Sequence, residues 1–380
     1  MKKKQERLSR NMDLALTEEQ EMIKNAAREF VEQEFPKELL LEIDENRYPC
    51  NTESWGKLID TGLLATLIPS EYGGEGGSFT NAGIVFEELG RGPVPGPHLS
   101  SFALSVNILL KMGSETQKQQ HLKAIADGSE VVVPAISDSE YGWSTKHVSA
   151  HIETTETGLK LNTNKSFVID GLSATHFIVA AKDDEGTIGF YIIAADSEGI
   201  ETRELTGFAW HMTEVKFVDV AILEGSKLEN CSWQEFEKSL LVSSALLSSY
   251  QVGGCQFVYE LSVDYSRTRV QFGTPIGRFQ RVQDHIINLV NSLDGARWTT
   301  NEALWKIDSG KEFEDSCHLA KAVASQAYLD CCTYGHEVHA GIGSLNEYGL
   351  TLHTTASRSL FHYLGDPRYH KEKLAAVLGL

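Results

Sequence analysis

Apolar and polar positions fall into three regimes along this chain. To about residue 130 the apolar positions recur at helical spacing. Thr17-Glu18-Glu19-Gln20 has the spacing of a capping box and opens a periodic run that Pro36 stops. Further helices are predicted over 54–61, 79–89, 99–112 and 114–126, with a glycine-rich loop, Pro69-Ser70-Glu71-Tyr72-Gly73-Gly74-Glu75-Gly76-Gly77, between the first two. From about 131 to 228 the period shortens to that of strands. Val131-Val132-Val133 is a short buried run, 158–162 and 167–169 alternate or run apolar, and 215–220 alternates cleanly. The apolar stretches 176–181 and 188–194 flank Asp183-Asp184-Glu185-Gly186, a hairpin turn. From about 229 the helical period returns over 233–269, 280–309, 313–340 and 349–363. The expected fold class is therefore α+β and multi-domain. It has an N-terminal helical domain (1–130), a middle antiparallel β domain (131–228) built as a small barrel or sandwich, and a C-terminal four-helix bundle (229–380). No internal repeat is present.

Composition narrows this picture. At 380 residues the chain is long enough for two to three domains, and 41% apolar with 23% charged residues is ordinary for a globular protein. Mean hydropathy is −0.23 and no run of about 18 apolar residues exists, so no membrane span is expected. The start, Met1-Lys2-Lys3-Lys4-Gln5-Glu6-Arg7, leads into no apolar stretch, so no secretory signal is expected and a cytoplasmic location is. With 34 basic and 53 acidic residues the formal charge is −19. Such a field repels nucleic acid and anionic lipid, and no Lys/Arg cluster is read beyond the first ten residues. Six cysteines (Cys50, Cys231, Cys255, Cys317, Cys331, Cys332) include no C-x-x-C pair and are expected to be reduced thiols.

Three motif-like stretches fail on spacing. The glycine-rich loop has neither G-x-G-x-x-G nor a G-K-[ST] ending, and a structural turn is expected there. His336-Glu337-Val338-His339 sets its histidines at i,i+3, where a zinc helix needs i,i+4; no metal residues are expected. No G-x-S-x-G elbow occurs.

The segment Arg269-Val270-Gln271-Phe272-Gly273-Thr274-Pro275-Ile276-Gly277-Arg278-Phe279-Gln280 is different. Read from its residues alone, it presents an Arg, an aromatic and an amide around a helix-to-helix turn. An ordinary connection and an anion site both fit. The segment resembles the R-x-x-F-G-x-P-I-x-x-x-Q signature of the acyl-CoA dehydrogenase family. The glycine-rich loop resembles that family's PxxxGGxGG segment. Phe86-Glu87-Glu88-Leu89-Gly90-Arg91-Gly92-Pro93 resembles its EELGRG segment, residues 113–122 its GSExQKxxxL helix, and Gly341-Ile342-Gly343 with Glu347 its GGxGxxxE segment. The resemblance covers nearly the whole chain.

It implies FAD, bound between the β domain and the bundle, and α,β-dehydrogenation of an acyl thioester such as an acyl-CoA. By position, Ser137 bonds the flavin edge and Phe167 packs on the isoalloxazine. Arg269, Phe272 and Gln280 form an arm reaching a neighbour's FAD, and Gly341 makes a tight turn near the same cofactor. Electron-transfer flavoprotein is an implied partner, and a homotetramer or an α2β2 tetramer with a paralogous chain an implied assembly.

The catalytic side departs from the pattern. The family's base is a Glu before the Gly of an E-G-T segment; here Tyr363-Leu364-Gly365-Asp366-Pro367 puts Leu364 there. The alternative Glu position on the long helix holds Ser243, and a common CoA-contacting Arg is Ser244. Ile169 replaces a flavin-bonding Thr, and Tyr141-Gly142-Trp143-Ser144 replaces A-G-S-D. The catalytic residue is thus unassigned, with Asp138 and Asp366 the nearest acidic candidates. Three functions stay open: a base-lacking subunit of a heteromeric dehydrogenase, a homomeric dehydrogenase with another base, and a non-catalytic flavin- or thioester-binding member of the fold.

Overall fold

The computed structural model describes residues 12, 14–46, 52–138, 142–156, 158–206 and 212–380. The basic start (Met1 to Arg7), Cys50 and Tyr141 lie outside them. In chain order come α1 (Glu18–Glu34), α2 (Lys37–Asn46), α3 (Thr52–Asp60), α4 (Phe79–Arg91), α5 (Val106–Met112), α6 (Glu115–Gln117) and α7 (Lys123–Ala126). Strands β1 (Val132–Ala135), β2 (His151–Thr155), β3 (Gly158–Ile169), β4 (His176–Lys182), β5 (Ile188–Ala194), β6 (Ile200–Glu204) and β7 (Met212–Ile222) follow. Then come α8 (Trp233–Thr268), the two-residue strands β8 (Val270–Gln271) and β9 (Thr274–Pro275), α9 (Gln280–Asp308), α10 (Glu314–His339), α11 (Leu350–Phe361) and α12 (Pro367–Val377).

These elements gather into two compact units. The first holds the described residues up to Glu45 together with Ser78–Val94 and Ser244–Leu380. Thr17 caps α1 as its sequence predicts: its Oγ1 accepts from the Gln20 N–H at 3.2 Å, and Gln20 Oε1 accepts from the Thr17 N–H at 3.0 Å. Helix α10 lies at the centre of the C-terminal helices, against α9, α11 and α12. Where α4 crosses α8, a Cβ on Gly90 would stand 1.8 Å from the Tyr250 carbonyl oxygen, and one on Gly253 1.8 Å from that of Glu87. Glycine on both helices lets the two backbones touch. Beside this crossing the buried Glu88 carboxylate takes a bidentate pair from Arg28, at 3.0 Å from Nε and 2.8 Å from Nη2.

The second unit holds Asn46–Gly77 and Pro95–Ser243. Among the described residues its strands form one seven-stranded sheet in the order β1-β4-β2-β3-β7-β6, with β5 also on β4. Val133, Leu161, Phe177, Val179 and Phe217 fill its core. The expected antiparallel ladders are present between β2 and β3, β3 and β7, β6 and β7, and β4 and β5. The sheet is nonetheless mixed: β1 runs parallel to β4 with Val132 opposite His176, and β2 touches β4 in parallel at His151 and Lys182. An apolar alternation carries no strand direction. Parallel neighbours need a long crossover, which residues 136–175 supply. The single helix expected over 99–112 is instead a π-helical stretch, His98–Ser105, running into α5.

Candidate active site

In the sheet-containing unit, Ser137 and Phe167 lie on segments held by one buried ion pair. Lys165 is fully buried, with Nζ 2.8 Å from Asp138 Oδ1 and donating to the carbonyls of Ile136 (3.0 Å) and Ala180 (2.8 Å). Asp138 also accepts from Thr163 Oγ1 at 2.9 Å, Ser149 Oγ at 3.0 Å, the Ala150 N–H at 3.2 Å and the Ser149 N–H. Burial alone would raise the Asp138 carboxyl, but the Lys165 charge and these donors outweigh it and hold it below its ordinary value. A carboxylate so occupied is a poor proton acceptor. It anchors the turn that carries Ser137, whose Oγ donates to the Gly142 carbonyl at 2.6 Å.

Two residues beyond Lys165, β3 slips register against β7 between Lys165 and Val168. Phe167 sits in that bulge at φ +58° and is 41% exposed. A bulge re-aims a side chain that regular pleating would turn elsewhere, and here an aromatic is aimed outward. Ile169 and Trp143 are buried.

In the other unit, β8 and β9 pair Gln271 with Thr274. The two residues between them, Phe272 (φ +53°) and Gly273 (φ +78°), both take positive φ, the signature of a type I′ hairpin. Phe is a costly choice for that first position, and its ring is 93% exposed, edge-on to Phe279 at 6.1 Å. Arg269 precedes the hairpin and Gln280 begins α9; both are exposed. Arg267, Arg278 and Arg281, close to them in sequence, are also exposed, and none of the four arginines enters a salt bridge among the described residues. Residues 265–283 contain no Asp or Glu. These four arginines fall within fifteen residues, 267–281, around the hairpin. Unpaired guanidinium forks beside the N-terminus of a long helix are a donor set for a pyrophosphate, so the residues present fit a dinucleotide such as FAD. Gly341 is exposed and a Cβ there meets nothing within 4 Å. The tight positions flank it: Ala340 has φ +52°, and a Cβ on Gly343 would lie 3.0 Å from that of His339.

Leu364, at the usual base position, is fully buried with φ +59°. Its carbonyl accepts from His370 Nε2 at 2.9 Å, and His370 Nδ1 lies 2.9 Å from His318 Nδ1. Burial first, then the Lys321 and His318 charges, keep His370 neutral, so one tautomer holds the turn. Gly365 follows at φ +99°, where a Cβ would strike Tyr369 Cδ1 at 2.5 Å. Asp366 is the N-cap of α12, accepting from the Tyr369 N–H at 2.7 Å. At the alternative base position, Ser243 Oγ is buried 2.7 Å from the Ser239 carbonyl oxygen and 3.0 Å from that of Ala103.

The other candidate stretches have structural work. Backbone N–H groups of Gly73, Gly74, Glu75, Gly76 and Gly77 all bond carbonyls of residues 65–70, leaving no anion cradle. His336 bonds Thr354 Oγ1 at 2.8 Å and His339 bonds the Gly335 carbonyl at 2.7 Å. Cys231, Cys255, Cys317, Cys331 and Cys332 are unbridged thiols, and burial raises Cys255, Cys317 and, to about 12, Cys332. Among the described residues no helix is long and apolar enough to cross a membrane.

A chain with this α–β–α element order, an exposed arginine hairpin and an outward-facing aromatic bulge fits the class of flavin-dependent oxidoreductases that share that order. The chain belongs to the acyl-CoA dehydrogenase family: residues 17–129 match its N-terminal domain model and 233–379 its C-terminal domain model. It is 28% identical to the acryloyl-CoA reductase (NADH) of Anaerotignum propionicum, over 99% of this chain and 98% of that one. It is 27% identical to CarC, a subunit of the caffeyl-CoA reductase-Etf complex of Acetobacterium woodii, over 87% and 90%. Among solved structures, butyryl-CoA dehydrogenase of Megasphaera elsdenii superposes with TM-score 0.90 at 22% identity, over 97% of this chain and 100% of that one. The ChsE4-ChsE5 complex of Mycobacterium tuberculosis gives 0.88 at 22%, over 97% and 99%. PigA with FAD and proline gives 0.89 at 23%, over 97% and 100%. These show the shared fold.

Proposed function

We propose that this chain is an FAD-binding subunit of a heteromeric acyl-CoA dehydrogenase, itself without a base, which completes the flavin site of a paralogous partner. In this reading it divides as 1–130, 131–228 and 229–380. Ser137 and Phe167 hold the isoalloxazine, Arg269, Phe272 and Gln280 serve a neighbouring chain's cofactor, and the 340–344 turn around Gly341 lies by the same group. FAD held by these residues would supply the acceptor for a hydride from the substrate Cβ. The α-proton leaves to a base, and a thioester α-carbon gives it up only to a positioned one. Leu364 accepts no proton, Ser243 is committed to packing, and Asp138 and Asp366 are committed to an ion pair and a cap. The substrate is an acyl-CoA or another acyl thioester, the electron acceptor an electron-transfer flavoprotein, the assembly an α2β2 tetramer and the location the cytoplasm. CarC, named as part of an Etf complex, and the two-component ChsE4-ChsE5 complex support the partner assignments.

The observation that carries this reading is the contrast between the buried leucine at the base position and the exposed Phe272 on the outward arm. The test is turnover of the purified chain on short, medium and bulky acyl-CoAs with an artificial electron acceptor. Loss of general-base assistance predicts rates about 10²- to 10⁴-fold below an ordinary enzyme, restored by co-expression with a base-bearing paralogue. Turnover near ~10 s⁻¹ by the chain alone overturns the proposal. Flavin binding without turnover in either setting supports the non-catalytic reading instead.

A further inference from the structure

His121, Glu130 and His176 come from three elements and converge at one place in the sheet-containing unit. His121 lies in the π-helical segment Lys118–Leu122, Glu130 in the connection entering β1, and His176 at the start of β4. Their ligand atoms all lie within 4.8 Å of one another, and among the described residues no other group of three or more His, Cys, Asp and Glu meets that geometry. His121 Nδ1 is 2.7 Å from Glu130 Oε2, and His176 Nδ1 is 3.9 Å from the same oxygen. The two imidazoles stand edge-on with centroids 5.4 Å apart.

We propose that these three side chains form a binding site for a divalent transition metal of the zinc class, with water as the remaining ligand. Two imidazoles and a carboxylate are a nitrogen–oxygen donor set that suits Zn²⁺, Ni²⁺ or Cu²⁺ and disfavours Mg²⁺ or Ca²⁺. A tetrahedral ion with bonds of ~2.0–2.1 Å sets its ligand atoms about 3.3 Å apart. The separations of 2.7 and 3.9 Å bracket that value, so small side-chain rotations close the site.

The backbone is already fastened for it. The Val131 carbonyl accepts from the N–H groups of both Thr175 (2.9 Å) and His176 (3.2 Å), the Val131 N–H donates to Thr175 Oγ1 at 2.9 Å, and the Glu130 N–H bonds Ala124 at 3.0 Å. Without an ion, His121 is satisfied by Glu130, and the Thr175 hydroxyl lies 3.1 Å from His176 Nδ1. The π geometry of Lys118–Leu122 is a second signal, because such turns concentrate at functional sites and here one carries a ligand. Glu130 and His176 are partly exposed, which gives the ion an entry path and its water a place. The ion ties the π-helical segment to the edge where β1 meets β4. Spacings of nine and forty-six residues match no metal motif, so the sequence alone does not reveal the site.

The test uses the chelator-treated full chain titrated with Co²⁺, then Zn²⁺. One equivalent of Co²⁺ is expected to give the visible bands of a low-coordinate ion, and Zn²⁺ to displace it and raise the melting temperature. His176→Ala and Glu130→Gln should each weaken binding by more than the roughly 10- to 100-fold typical of losing an outer-shell partner. Their metal-free melts, matching wild type, establish that they fold. His336→Ala, on α10, should bind as wild type does. Absence of the Co²⁺ bands in the folded wild type overturns the proposal, as does unchanged binding in His176→Ala or binding that follows His336.

Discussion

Asp170 shows what burial does to one carboxyl. It lies just beyond β3 at φ +61°, fully enclosed, with Ser100 Oγ donating to its Oδ2 at 2.6 Å. Desolvation pushes it up to about 7, and the Ser100 bond only partly opposes this. The unfolded value is about 3.9. Between the two values the folded chain holds a proton that the unfolded chain has lost. The contribution is fully present below the unfolded pKa, and stability falls as pH rises toward the folded one, by about 1.4 kcal/mol for each pH unit crossed. Asp170→Asn keeps the shape and the left-handed backbone that Asn tolerates, but removes the titration. Urea unfolding at pH 5 and pH 8 should therefore show wild type losing stability relative to the variant across that interval. Parallel changes in the two proteins would refute it. The same residue marks a limit of sequence reading. Asp170, Phe167, Phe272 and Leu364 all take positive φ, where propensity places none of them but Asp; the pairing of β8 with β9 sets Phe272, and the packed surroundings of the others, rather than local preference, set theirs. The leucine at the base position was legible; its burial and its hydrogen bond to His370 were not.

At the scale of elements, legibility followed signal strength. The capping box of α1 and the long helices α8 to α10 carry punctuation and period, and the structure has them. Strand β2 and the largely exposed edge strand β6 escaped because neither shows a clean apolar alternation, and helix α2 because its ten residues, with only Leu40 and Ile43 buried, are too few for a strong helical period. The parallel pairing of β1 escaped for want of any directional signal. The β8–β9 hairpin was legible as a motif, while the exposure of Phe272 and of all four arginines, Arg267, Arg269, Arg278 and Arg281, emerged only with the fold. That geometry makes a specific prediction. Arg269 is exposed and forms no salt bridge among the described residues, so Arg269→Ala should leave the melting temperature of the flavin-free chain unchanged. In the proposed role it would remove a charge-assisted bond to a pyrophosphate oxygen, worth roughly 1.5–3 kcal/mol. FAD retained after purification under limiting cofactor should drop about tenfold or more. Wild-type retention would count against a cofactor role for the hairpin, and a collapsed melt would make Arg269 structural.

For the whole molecule, the argument turns on what the chain leaves uncovered. Phe272 is almost fully exposed at 93%, Val270 is 52% exposed, and Phe279 packs edge-on to Phe272. A strained aromatic turn with no cover from its own fold costs free energy that a partner surface can return. The charge pattern points the same way. The chain is strongly acidic overall, whereas the exposed Arg267, Arg269, Arg278 and Arg281 lie in a stretch, 265–283, that holds no acidic residue between the flanking Asp264 and Asp284, and they present the opposite sign to another copy or a paralogue. Closed symmetric assemblies are the common result of such contacts. We therefore expect a tetramer, built as a dimer of dimers, in sedimentation of the flavin-bound protein. Its dissociation should increase with ionic strength, because exposed charges separated by more than about 10 Å are screened at 0.1 M salt. Phe272→Asp should shift the distribution toward smaller species while leaving the circular dichroism of the chain intact. Arg269→Ala should lose flavin first and assembly less. If the protein instead sediments as a stable monomer at micromolar concentration with FAD bound, the hairpin serves its own chain. The proposal that it completes a neighbour's site then falls, whatever the turnover assay gives.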